Sequence, residues 1–75
     1  MNYEIRIEWD AEADVWYVVD SNVPGLATEA PTIKAMLARL EVMVPELLEE
    51  SGICTGEEIP FSLLAQRQVV AHRLH

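Results

Sequence analysis

The chain is written as short strands first and one long helix after them, an α+β arrangement in the order β-β-β-α-β. Three features carry this reading. Residues 3–9 alternate apolar and polar, Pro24-Gly25 has turn chemistry, and apolar residues recur at three- and four-residue steps from Ile33 to Leu48. The expected architecture is an antiparallel meander with a returning fourth strand and one helix packed on one face. With 75 residues there is room for a single domain, residues 1–75.

Tyr3, Ile5, Ile7 and Trp9 fall on one face of the first strand, and Glu4, Arg6 and Glu8 on the other. The polar segment Asp10 to Asp14 has the length of a hairpin connection. Val15 to Val19 is a second strand, and its unbroken apolar run suits a central position or one that gains a partner. Pro24 presets φ and Gly25 accepts positive φ, as a type II turn requires. A short third strand over about Leu26 to Glu29 follows that turn.

Thr32 is the natural cap of the helix that comes next. Ile33, Met36, Leu37, Leu40, Met43, Val44, Leu47 and Leu48 form its broad apolar stripe. Pro45 lacks an amide proton and crowds the preceding turn, so a kink or a break is expected there. Gly52 is the expected terminator. Within Pro60–Val70, the alternation Phe61, Leu63, Ala65 favours a last strand, and a helix from Ser62 onward is the competing reading.

Composition narrows the function classes. Apolar residues make up 51 % and charged residues 24 %, a globular balance. The longest apolar run, Val15 to Val19, is far short of the roughly 18 residues that span a bilayer. No signal-peptide layout opens the chain, and a cytoplasmic location is expected. Cys54, the sole cysteine, excludes an internal disulfide and reads as a small filler rather than a nucleophile.

Charge is the strongest compositional signal. The chain carries five bases and thirteen acids, a net −8. Residues 1–60 hold all thirteen acids against Arg6, Lys34 and Arg39, a net −10, whereas residues 61–75 hold Arg67 and Arg73 and no acid. Such a body repels phosphate backbones, so strong nucleic-acid binding is not expected. It attracts a basic protein, although charge that only keeps a small domain soluble explains the same numbers.

Candidate chemistry is thin. Asp10, Asp14, Asp20 and Glu29 lie near strand ends, where a metal-assisted nuclease gathers carboxylates, but hairpins and solvated strand ends also favour Asp. His72 and His75 have the spacing of a helical metal pair, yet they sit in a terminal tail with no third ligand. Trp9 and Trp16 belong to the buried or partner side of the sheet, and Met36 and Met43 to the helix stripe. No phosphate-binding glycine loop, nucleophile elbow or zinc signature is present. The residues assign no catalytic, cofactor-binding or metal-binding role and do not argue for an enzyme.

The ordered set Asp10, Trp16-x-Val18, Val23-Pro24-Gly25-Leu26, Thr28-Glu29-Ala30-x-Thr32 and Leu37 and Leu40 resembles the HicB-like antitoxin domain. Pro45-Glu46-Leu47-Leu48 is similar to a segment of a short subgroup of that superfamily, itself a domain of unknown function. The resemblance spans about residues 3–50. It implies a fold likened to a truncated ribonuclease H core, and a non-enzymatic antitoxin that occludes HicA, a small basic RNA-cleaving toxin. Two departures stand out: Ala30-Pro31 replaces the usual glycine before the helix cap, and no DNA-binding segment is expected after the last strand. The rival functions are a degenerate ribonuclease H-like metal nuclease using Asp10, Asp14 or Asp20, and a self-associating structural protein. A homodimer through a strand edge or the helix-free sheet face is also expected, because so small a domain leaves one of them uncovered.

Overall fold

The structure, a computed structural model, describes residues 2–53, 56 and 58–74. Its elements are β1 (Tyr3–Asp10), β2 (Val15–Ser21), β3 (Glu29–Ala30), α1 (Ile33–Glu50) and β4 (Phe61–Gln66). The strands form one four-stranded mixed sheet in the order β3-β2-β1-β4. β1, β2 and β3 make the antiparallel meander, while β4 lies beside β1 and parallel to it. That direction follows from the connection. β3 runs parallel to β1, the helix carries the chain back across the sheet, and a second reversal returns it in the direction of β1.

The strand reading of residues 62–70 prevails over the helical one, with β4 ending at Gln66. The third strand is shorter and later than the expected span of Leu26 to Glu29. Leu26 is still closing the turn, its N–H donating to the Val23 carbonyl at 3.3 Å, and Gly25 takes φ +72° as a type II turn demands. Glu29 and Ala30 then pair with β2, and the Thr28 carbonyl accepts the Val18 N–H at 3.2 Å, before Pro31 ends the strand. β2 runs two residues beyond Val19. The ladder steps from Arg6 opposite Asp20 to Ile7 opposite Val18, which leaves Val19 as the extra residue of a bulge.

α1 is one continuous helix with Pro45 inside it, so the expected break does not occur. Pro45 removes one hydrogen bond, to the carbonyl of Glu41, a residue on the exposed side of the helix. Val44 and Leu48 are fully buried on either side of it and hold both halves to the sheet. At the N-terminus, the Thr32 hydroxyl accepts the Ala35 N–H at 3.0 Å. At the C-terminus, Gly52 at φ +76° and Ile53 donate to Glu49 and Leu48 carbonyls, both at 3.0 Å, closing a Schellman motif.

Met36, Leu40, Val44 and Leu48 pack the helix onto Tyr3, Ile5, Ile7, Trp16 and Ala30 of the sheet, together with Val23. The buried stripe is narrower than the sequence pattern, because Ile33 and Leu37 at its flank are exposed. Among the described residues, one helix covers one face of the four-stranded sheet, and the opposite face stays open.

Candidate protein-binding surface

The open face is set by the alternation of β1. Its odd-numbered residues enter the core, so Glu4 and Arg6 are exposed and Glu8 is half-buried on the other side. Register brings neighbours to each. Asp20 and Leu64 flank Arg6, Tyr17 and Gln66 flank Glu8, and Ser62 lies beside Glu4. Glu29 pairs with Tyr17 at the β3 edge. The result is a flat surface with four carboxylates (Glu4, Glu8, Asp20, Glu29) against Arg6, and with Tyr17 and Leu64 exposed between them. The apolar run of β2 therefore does not mark two covered faces, since Tyr17 lies on this open one.

Asn22 fixes one end of the face. Its side-chain oxygen accepts the Glu4 N–H at 2.9 Å, and its amide group donates to the Asn2 carbonyl at 3.2 Å. A shallow depression lined by Glu4, Asp20, Ser21 and Asn22 is open to solvent there. Ser21 is occupied locally, with its hydroxyl accepting the Val23 N–H at 3.2 Å. Neither Asn22 nor Ser21 signals this role in sequence beyond turn composition.

The candidate carboxylates do not converge. Asp10 accepts the N–H groups of Glu12 and Ala13 at 3.0 and 3.3 Å and so shapes the β1–β2 hairpin. Asp14 closes that hairpin at φ +56°, a left-handed conformation that Asp tolerates better than most residues. Asp20 lies opposite Arg6 on the open face, and Glu29 lies at the sheet edge. Among the described residues, no three His, Cys, Asp or Glu side chains are placed to hold a metal ion. His72 lies in the exposed segment after β4, while Cys54 and His75 lie outside the described residues.

Trp16 is buried, and half-buried Trp9 meets it edge-on with centroids 5.5 Å apart and rings at 66°. Arg67 covers Trp9 from the far side, 4.4 Å from its ring centre, a contact that charge counting along the chain does not reveal. Among the described residues, no helix is long and apolar enough to cross a membrane.

The family model described as Domain of unknown function (DUF1902) matches residues 2–73. No curated protein matches the chain. A crystal structure of a hypothetical protein from the extremely thermophilic bacterium Thermus thermophilus is similar, with 46 % sequence identity and a TM-score of 0.79. The match covers 95 % of this chain and 100 % of that one.

Proposed function

The chain belongs to the DUF1902 family of unknown function, and we propose that it is a non-enzymatic module that binds a small basic protein. The specific reading is antitoxin-like: a HicB-like domain, built as a truncated ribonuclease H core, that occludes the active site of a HicA-type RNA-cleaving toxin. The observation that carries it is the open sheet face, where four carboxylates surround exposed Tyr17 and Leu64 on a body of net −10 over residues 1–60. Carboxylates steer a basic partner into encounter, and the aromatic and aliphatic side chains supply contact area once it docks. Occlusion needs no reacting group on this chain.

The test is a search of the neighbouring genes for a small basic protein, followed by stopped-flow and calorimetric measurement of its binding to this chain. Wild-type protein is expected to bind with an association rate that falls steeply with salt. Glu4→Lys combined with Glu8→Lys is expected to weaken binding at least tenfold while leaving thermal unfolding cooperative. Undiminished binding by that variant would remove the open face from the interface.

A further inference from the structure

The two edges of the sheet are unlike each other. β3 has two residues and runs into Pro31, which blunts that edge. β4 exposes a six-residue edge, Phe-Ser-Leu-Leu-Ala-Gln, with no charge and no proline inside it. Proteins commonly protect an exposed edge with Lys, Pro or a covering element, and none of these guards β4 among the described residues.

The chain then continues past the sheet. Arg67, which follows the last residue of β4, lies over Trp9, and residues 67–74 have no secondary structure. Val69, Val70 and Leu74 are 75 %, 70 % and 92 % exposed, and Leu64 on the adjoining edge is 51 % exposed. The radius of gyration is 14.8 Å, against about 11 Å for a compact chain of this length, so the arm projects from the body. It carries Arg67 and Arg73 and no acid, opposite in sign to the body.

We propose that this arm is the self-association element, with a second copy of the same chain as its occupant. The continuous segment Phe61–Leu74 pairs antiparallel with its own counterpart across a two-fold axis, joining two sheets edge to edge. The unpaired backbone groups of β4 then meet the partner's arm, and the basic arm lies along an acidic body. A two-fold axis normal to the sheet requires paired residues on the same side. Alternation in β4 places Leu63 and Ala65 on the helix side and Leu64 on the open side, the Trp9 contact puts Arg67 with the first set, and continuing the alternation places Val69 and Ala71 with the first set and Val70 with the second. With Arg67 at the axis, Leu63 faces Ala71, Ala65 faces Val69 and Leu64 faces Val70. Like charges opposed in a ladder are unfavourable, and the two guanidiniums avoid that contact by each stacking on Trp9 of its own copy. The pairing uses the edge and leaves Glu4, Glu8, Asp20, Glu29 and Tyr17 of the open face free, sharing only Leu64 with it, so the charge-reversal variant at Glu4 and Glu8 tests the toxin-binding reading separately.

Light scattering after size exclusion tests this on the full chain at tens of micromolar. The wild type is expected at twice the chain mass, and Val70→Asp, at a site with no role in the core, at the monomer mass with an unchanged circular dichroism spectrum. A second measurement uses Cys54→Ser chains carrying Leu64→Cys or Val70→Cys, mixed and mildly oxidised. Cross-linking in the mixture, and not in either variant alone, is the result expected. A monomeric wild type, or a Val70→Asp variant that stays dimeric, would overturn the proposal.

Discussion

The Arg67 guanidinium lies 4.4 Å from the centre of the Trp9 ring, and Trp9 in turn meets Trp16 directly across the β1–β2 ladder. Three segments are tied by this stack: the end of β4, the end of β1 and the start of β2. A cation over an aromatic face at an exposed site contributes about 0.5–1 kcal/mol. Arg67→Ala is expected to lower stability by about that amount, and Arg67→Lys by less. Urea titration followed by tryptophan fluorescence measures the change, and no effect from Arg67→Ala would mean that the contact stabilises nothing.

Pro45 leads to the opposite sign. It sits in a continuous helix where it forfeits a hydrogen bond to Glu41 and strains the turn before it. Pro45→Ala restores the amide proton and a good helix former, against a loss of half-buried ring contact. A gain of about 1–3 kcal/mol is expected, read as a higher midpoint in thermal unfolding. A drop would mean that the helix is shaped around the proline.

Core truncation should be costly in so small a domain. Ile7 and Leu40 are fully buried on facing elements. Replacing either with Ala is expected to cost about 2–5 kcal/mol. The whole chain is worth roughly 4–11 kcal/mol by the usual stability per residue, so the double variant should be largely unfolded. Far-ultraviolet circular dichroism at room temperature checks this, and cooperative melting of the double variant would contradict it.

Local chemistry made much of the fold legible. The alternation of Tyr3 to Trp9, the Thr32 cap, the Pro24-Gly25 turn and the Gly52 stop each act within a few residues, and each appears where the sequence places it. What was not legible depends on distant partners. Continuity through Pro45 rests on Val44 and Leu48 reaching the sheet, and the brevity of β3 rests on how the Val23–Leu26 turn closes. The bulge at Val19 is visible only once β1 is paired. At the surface, the strand pattern foretold the charged row Glu4, Arg6 and Glu8 on one face of β1. It could not show that register would set Tyr17 and Leu64 among those acids, or that Arg67 would be taken up by Trp9.

The last prediction separates a binding module from a nuclease. Residues 1–60 carry net −10, and the basic segment that follows holds only Arg67 and Arg73, the first already stacked on Trp9. Two phosphate contacts would give a salt slope no steeper than about −2, whereas a dedicated binder makes roughly six to ten contacts. RNA retention on a filter should therefore be weak and should vanish by ~150 mM salt, where the Debye length is about 8 Å. The Asp10 carboxylate is engaged by the Glu12 and Ala13 amides at 3.0 and 3.3 Å, which leaves it shaping a turn. Asp10→Asn keeps a side-chain oxygen for those amides, so it is expected to fold normally and to change no cleavage rate. Submicromolar RNA binding that resists salt would defeat this view. Magnesium-dependent cleavage that disappears in Asp10→Asn would go further, because it would make that carboxylate a catalytic group and the chain a nuclease of the ribonuclease H type.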